Sequence, residues 1–590
     1  MKAMFFYTLV IVLSVFNVVY GEGAGSFSNV NPGKTFKDIK NHNPLITQRF
    51  SADPGVMVYN GRVYVYATND GDATSSKGGE NNYDLINTLN CMSSSDLVNW
   101  TDHGSLNIAG RNGAAKWANN SWAPCATHKT INGKEKFFIY FANSGNGIGV
   151  VTSDSPTGPF VDPIGKALVS RQTPNCFDVT WLFDPAVIVD DDGTGYLYMG
   201  GGVPNGRDAN PKTIRVVKLG DDMISLAGNP ETIDAPYSFE DSGINKIGNT
   251  YYYSYCTNWA NGPYGNANIA YMTSNSPMGP FKFQKGIFRN PADFFGGNYG
   301  NNHHTIIEFK DKFYIFYHAE WLNRQMYGSP KGYRTTHVDV LPFSNGQFGD
   351  AKGTLNGVDQ LENVDAFADN AAATFAWQSG ITIKTQGEAP PVNYGRGAWT
   401  GVSKVDLGSG DAKSIIIKAG SNSGATIKIC VDSPTGTALG YAEVPAGDSA
   451  EIEAEISGAT GVKDLFFVAS DNLTIESWKF VGNTPVNNDD NNGDDTTVVD
   501  DGSCWSLSLG FPCCSACGVA YFTDESGEWG VENNNWCGMP AQCKSATSEK
   551  CQSVQGYPCC VSSCKVYFQD NEGTWGIENN DWCVIDKSIC

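Results

Sequence analysis

Five times along this chain a short polar motif leads into an apolar run, a Gly/Asn/Asp turn and a second run rich in Tyr and Phe. The copies begin at Ser51-Ala-Asp-Pro54, Ser121-Trp-Ala-Pro124, Phe183-Asp-Pro185, Phe239-Glu-Asp241 and Asn301-Asn-His-His304. Their spacing of roughly 55–70 residues is somewhat above that of the commonest propeller repeats. Each copy reads as the first hairpin of a four-stranded sheet, as in Val56-Met-Val-Tyr followed by Arg62-Val-Tyr-Val-Tyr66, or Gly243-Ile-Asn-Lys followed by Thr250-Tyr-Tyr-Tyr-Ser-Tyr255. In a radial propeller the entrances of these strands converge on the central axis. Three motifs place a carboxylate there: Asp53, Asp184 and Glu240. Any one of them alone could be an ordinary strand-entry turn residue. Their coincidence at equivalent repeat positions predicts that three acids from distant parts of the chain meet in one cleft. Glycoside hydrolysis needs such a set: an acid for the leaving oxygen and a base or nucleophile on the opposite face. A third carboxylate raises the pKa of the acid by like-charge repulsion.

The length of 590 residues exceeds one core and points to about three to five domains. A net charge of −22 without a Lys/Arg cluster makes nucleic acid and anionic membrane poor partners. Residues 1–21 combine a basic residue, an apolar stretch and small residues, and read as a cleaved signal peptide. No other run approaches the ~20 apolar residues of a membrane helix. The expected product is secreted, extracellular and soluble.

The repeats occupy residues 30–355. From 365 to 482 short alternating strands such as Ser414-Ile-Ile-Ile-Lys418 and Asp464-Leu-Phe-Phe-Val468, separated by Gly/Ser/Asp turns, predict a β-sandwich. Residues 483–502 form an acidic, Asn-rich linker whose spacing does not match a calcium loop. Two tandem units follow, 503–543 and 550–590, and together they hold twelve of the 17 cysteines. That density suits disulfide scaffolds in an oxidising compartment, since a ~40-residue unit cannot bury enough apolar surface alone. The other cysteines, Cys91, Cys125, Cys176, Cys256 and Cys430, are an odd set best read as buried thiols. The expected fold class is all-β: a five-bladed β-propeller followed by a β-sandwich and two small disulfide-rich modules.

Ala52-Asp-Pro54, Trp181-Leu-Phe-Asp-Pro-Ala-Val187 and Phe239-Glu-Asp-Ser-Gly-Ile-Asn-Lys246 resemble glycoside hydrolase family 43. Longer stretches, among them Ala114-Ala-Lys-Trp-Ala-Asn-Asn-Ser-Trp-Ala-Pro124, Gly300-Asn-Asn-His-His304 and Lys331-Gly-Tyr-Arg334, are similar to its arabinoxylan arabinofuranohydrolase branch. The resemblance implies an inverting α-L-arabinofuranosidase acting on arabinoxylan, with Asp53 as general base, Glu240 as general acid and Asp184 as pKa modulator. It further implies sugar contacts from Trp181 and Arg334 and from Asn301 or Asn302, between which spacing does not choose. Trp181 could equally be blade packing, and Arg334 a structural ion pair. An axial histidine beside a bound calcium or water is also implied, and His303 is the better candidate for it. No cofactor is required for the chemistry; the calcium implied by the resemblance would be structural and lie in the propeller channel.

Phe375-Ala-Trp-Gln-Ser-Gly-Ile381 and Asp406-Leu-Gly-Ser-Gly410 resemble carbohydrate-binding module family 6. The usual Glu-Ala-Glu for a structural calcium is replaced by Asn370-Ala-Ala-Ala373, so that site is expected to be lost. Tyr394 and Trp399 are the candidates for stacking on sugar, and the alternative is that the domain braces the propeller. The cysteine-rich repeats resemble fungal dockerins, related to carbohydrate-binding module family 10. They keep Tyr521, Asp524 and Trp529, then Tyr567, Asp570 and Trp575, as exposed contact residues. The implied partner is a scaffold protein of a multi-enzyme cellulolytic complex, with direct cellulose binding as the alternative. The rival activities are β-xylosidase and arabinanase, which share the catalytic trio, and a non-catalytic carbohydrate-binding protein.

Overall fold

The computed structural model describes residues 27–482, apart from 28, 74–78, 261, 298 and 411, and short stretches between 506 and 585. The signal peptide and the acidic linker lie outside the described residues, as do Tyr521, Asp524, Tyr567 and Asp570. The chain divides into two compact units, Met1–Val486 and Asn487–Cys590.

In the first unit five sheets form a propeller, and the chain is nearly all β. Blade 1 runs Arg49–Tyr59, Arg62–Asp72, Thr88–Ser94 and Trp100–Asn107; blade 2 runs Trp122–Ile131, Lys134–Ala142, Gly147–Ser153 and Val169–Ser170. Blade 3 runs Ala186–Val189, Gly195–Gly200, Ile214–Lys218 and Glu231–Ile233; blade 4 runs Ser238–Ile247, Thr250–Thr257, Ile269–Ser274 and Lys282–Phe288. Blade 5 has three strands, His304–Phe309, Lys312–Ala319 and Thr335–Val340. Its open edge is met by the segment leading into blade 1. Leu45 N–H donates to the Thr336 carbonyl at 2.9 Å, and Asn43 exchanges side-chain hydrogen bonds with both backbone groups of Val338 at 2.9 and 2.8 Å. The start of the domain thereby closes the ring on its end.

Each blade hides its faces against its neighbours. One apolar cluster fills each interface: Val63, Trp100 and Phe316 between blades 5 and 1, Tyr66 and Phe141 between 1 and 2, Tyr140 and Leu197 between 2 and 3, Tyr198 and Tyr253 between 3 and 4, and Tyr271 and Ile315 between 4 and 5. The Tyr/Phe-rich second strands of the repeat supply these contacts, so much of the aromatic content is structural.

The innermost strands share one irregularity. Their ladders skip between Ala52 and Gly55, between Trp122 and Cys125, and between Glu240 and Gly243. The first skipped residue has positive φ: Asp53 at 46°, Ala123 at 41° and Asp241 at 66°, joined by Asp184 at 50° in blade 3. Aspartate tolerates this left-handed region better than most residues. Pro54, Pro124 and Pro185 fit the second position, where no ladder N–H is required. Such bulges re-aim side chains and gather beside active sites. They also correct the repeat register: the counterpart of Asp53 and Asp184 in blade 4 is Asp241, and Glu240 stands one residue earlier, level with Ala52, Trp122 and Phe183.

The sandwich is built on the 15-residue strand Val392–Asp406, which pairs with Leu473–Val481 at one end and Val462–Ala469 at the other and so joins its two layers. It also lends Thr374–Phe375 to the outer edge of blade 1, against Trp100–Thr101. Tyr394 and Trp399 are buried, which rules out the stacking role expected of them. The Tyr394 hydroxyl is engaged with Thr400, while Trp399 packs on Phe466 and donates Nε1–H to the Gly33 carbonyl at 2.7 Å. Trp377 does the same for the Asn41 carbonyl at 2.8 Å. These aromatics lock the sandwich to the segment that enters the propeller.

In the second unit each repeat forms a three-stranded meander: Phe522–Thr523, Glu528–Glu532 and Asn535–Gly538, then Phe568–Gln569, Thr574–Glu578 and Asp581–Val584. Cys514 and Cys537 form a disulfide, and Cys583 is also disulfide-bonded. Trp529 and Trp575, expected on the surface, are buried, whereas Trp536 is 45% exposed. Neighbouring strand positions face opposite ways: Gly530, paired with Cys537, faces the Cys514–Cys537 bridge, and Trp529, paired with Gly538, is buried on the other face.

Candidate active site

A pocket of about 420 Å³ opens where the innermost strands begin. Asp53, Asp184 and Glu240 all line it, together with Trp181, Asn301, His303 and Arg334. Asn302 does not. It is buried, with its amide donating to the Ala267 carbonyl at 3.0 Å, because adjacent residues of an extended segment point to opposite sides and only Asn301 faces inward.

The three carboxylates are buried but held in different electrical states. Burial by itself would push Asp53 up. The Arg334 guanidinium, whose Nη1 donates to Asp53 Oδ1 at 2.8 Å, and the His318 ring at 3.1 Å outweigh it and hold the carboxyl well below the usual range. Arg334 is itself fixed by a two-pronged bond to Asp70, Nε to Oδ2 and Nη2 to Oδ1, both at 2.9 Å. On the other side, burial and the mutual repulsion of neighbouring carboxylates push Glu240 and Asp184 well above theirs. Asp184 Oδ2 accepts the Asp241 N–H at 3.0 Å, and Glu240 Oε1 is buried without a hydrogen-bond partner. The pocket thus sets one carboxyl whose charge is stabilised beside two whose proton affinity is raised.

Asp241 supports this arrangement from below. Its Oδ2 accepts from His304, whose Nε2 lies 2.8 Å from the Ser254 hydroxyl, and all three groups are buried. Its Oδ1 lies 3.2 Å from His303 Nε2. His303 closes the floor of the pocket, since its other face borders the propeller channel. His303 Nδ1 is 3.6 Å from Asp184 and 3.9 Å from Asp53. Both ring nitrogens of His303 are thus turned to carboxylates.

The wall beside Glu240 is aromatic. Trp181, 39% exposed, meets Phe239 edge-on at 5.0 Å and Phe183 at 5.4 Å, and Trp259, 37% exposed, meets Phe239 at 4.4 Å. Across the pocket Tyr83 takes the Arg334 guanidinium over its ring at 4.8 Å and, through its carbonyl, fixes the Trp122 indole at 3.0 Å. Asp70, Tyr83, Trp122, Trp259, His318 and Glu320 were not singled out in the sequence. Asp70 carries no local signal, as its partner Arg334 is 264 residues away. Trp122 could have been found from its place in the repeat motif.

A propeller whose axial pocket sets an Arg-paired carboxylate beside a buried carboxyl of raised proton affinity, walled by aromatics, has the equipment of a glycosidase. Residues 41–348 match glycosyl hydrolases family 43, 371–482 match carbohydrate binding module (family 6), and 503–539 and 550–585 match a cellulose or protein binding domain. The chain belongs to glycosyl hydrolase family 43. It is 43% identical over 514 residues to an arabinoxylan arabinofuranohydrolase of Paenibacillus polymyxa, covering 82% of this chain and 80% of that one. A crystal structure of the arabinoxylan arabinofuranohydrolase from Bacillus subtilis, solved with cellotetraose, superposes with a TM-score of 0.73 at 44% identity over 76% of this chain and 99% of that one. The tail is 48% identical over 69 residues to part of endoglucanase B of Neocallimastix patriciarum, 12% of this chain and 11% of that protein.

Proposed function

We propose that the chain is a secreted α-L-arabinofuranosidase that removes arabinofuranosyl side chains from arabinoxylan with inversion of configuration. The observation that carries this reading is that Asp53, paired with Arg334, and Glu240, buried with an unpartnered oxygen, line one axial pocket. Glu240 delivers its proton to the glycosidic oxygen as the bond to the xylan chain breaks. Asp53, held ionised by Arg334, takes a proton from the water that attacks the anomeric carbon from the opposite face. Asp184, beside Glu240, keeps that acid protonated at working pH. The aromatic wall of Trp181, Phe239 and Trp259 offers apolar faces to sugar rings, and Asn301 a polar contact. The preference for arabinofuranose over xylose rests on the two arabinofuranohydrolase relatives, since the trio itself serves related activities.

The reading is tested by proton NMR of the first product from wheat arabinoxylan. Free β-arabinose is the expected result, and Asp53→Asn is expected to lose at least about 10²–10⁴-fold in kcat while staying folded. Xylose, oligosaccharides or a retained anomer would each refute the corresponding part. The two C-terminal modules are proposed to attach the enzyme to a scaffold protein of a polysaccharide-degrading complex. The match to a cellulose or protein binding domain and the endoglucanase that carries a similar tail support this.

A further inference from the structure

Four carboxylates line the pocket, and the reaction above uses three; the fourth is Glu320. Glu320 follows strand Lys312–Ala319 and occupies the N-cap of the helix Trp321–Tyr327. An acidic side chain at that position ordinarily turns back to accept from the amides of the first turn. Here it makes no capping bond and stands in the pocket wall beside Gly300, Asn301 and Arg334. Its Oε2 is buried with no hydrogen-bond partner in the protein. No hydrogen bond or ion pair joins it to Arg334, whose Nε, Nη1 and Nη2 donate to Asp70 and Asp53. Burial raises the proton affinity of the Glu320 carboxyl, against the pull of the Gly332 N–H, His318 and Arg334, so the group sits in an environment that rewards a hydrogen-bond donor.

A carboxylate offers only acceptors, and the donors a sugar brings are its hydroxyls. Asp53 is committed to the attacking water and Glu240 to the leaving oxygen. We infer that Glu320 is a substrate-binding residue that accepts a hydrogen bond from one hydroxyl of the arabinofuranosyl ring and so selects for a sugar carrying that hydroxyl. The inference deepens the activity reading and rests on it. A site built to bond a hydroxyl rejects the analogue without it strongly, because the buried polar group is then left unpaired.

The test is a double-mutant cycle between enzyme and sugar. kcat/KM is measured for full-length wild type, Glu320→Gln and Glu320→Ala on 4-nitrophenyl α-L-arabinofuranoside and its 2-, 3- and 5-deoxy analogues. One analogue is expected to lose about 10–100-fold with wild type. That penalty is expected to vanish in Glu320→Ala, while those of the other two analogues stay as in wild type. Penalties that are all unchanged in both variants would overturn the inference alone. If neither variant keeps the wild-type circular dichroism spectrum, the carboxylate is structural and the inference also fails. A wild-type enzyme that releases no arabinose from wheat arabinoxylan would overturn the activity reading and this inference with it.

Discussion

Asp241 shows how much a single residue beside a catalytic group can carry. Its backbone N–H bonds Asp184, its Oδ2 holds His304, and its charge adds to the repulsion that raises the proton affinity of Glu240 and Asp184. Asparagine at this position keeps an acceptor for His304 and removes the charge. The sign follows directly: with one negative neighbour fewer, the Glu240 carboxyl loses its proton more readily. The alkaline limb of the kcat/KM profile of Asp241→Asn is therefore expected to move to lower pH. The acid limb, set by Asp53, is expected to stay, because the groups that depress that carboxyl are Arg334, His318 and His303. A pH–rate profile checks both limbs, and an alkaline limb left in place would mean that the Asp241 charge is not felt at Glu240.

At the scale of elements, the bulge and the interdomain strand do the positioning. A regular ladder would place Asp53 and Asp184 in the pleat of a strand, whereas a left-handed residue at the strand entrance turns the carboxylate into the axial pocket. The Glu240 counterpart uses the residue before the bulge, so blades 1 and 4 present their acids from different sides of the same irregularity. The sandwich is tied in by Thr374–Phe375 and by the Trp377 and Trp399 indoles. Trp399→Ala removes a buried indole and its bond to the Gly33 carbonyl, and it is expected to cost about 3–5 kcal/mol of stability. Calorimetry should find a lowered Tm, while KM for the folded enzyme is unchanged because Trp399 lies outside the pocket. An unchanged Tm would show that the sandwich does not brace the propeller.

For the whole molecule, the pocket and the proposed attachment modules separate along the chain. The pocket is complete within the first unit, and an acidic, Asn-rich sequence leads from it to the cysteine-rich repeats. Truncation before Asn483 is expected to leave kcat/KM on soluble arabinoxylan within about twofold of wild type, since a charged linker transmits little structural coupling. Retention on a scaffold protein of the complex, read by surface plasmon resonance, is expected to disappear. The probe for the contact is Trp536, which is exposed, together with its repeat counterpart Trp582. Alanine at Trp529 and Trp575 would instead unpack the modules. A truncated chain that is still retained, or a tail that binds cellulose and no protein, would exclude the scaffold reading.

The sequence by itself determined the propeller, the sandwich and the convergence of three acids on one pocket. A repeat of hairpins has few ways to bury its faces, and a carboxylate recurring at strand entrances has one axis on which to converge. What only the tertiary structure decided was orientation. Asn301 and Asn302 are neighbours that an extended chain sends opposite ways, and Trp529 and Trp536 are the same residue type on adjacent strands, one buried and one exposed. Trp399 has the composition of a sugar platform and the surroundings of a domain joint. The roles of Asp70, Asp241 and Glu320 arise from partners far away in the chain, or from an oxygen left without one. Local sequence carries residue type and periodicity, while charge state and exposure belong to the space around a group, and that space exists only once the ring has closed.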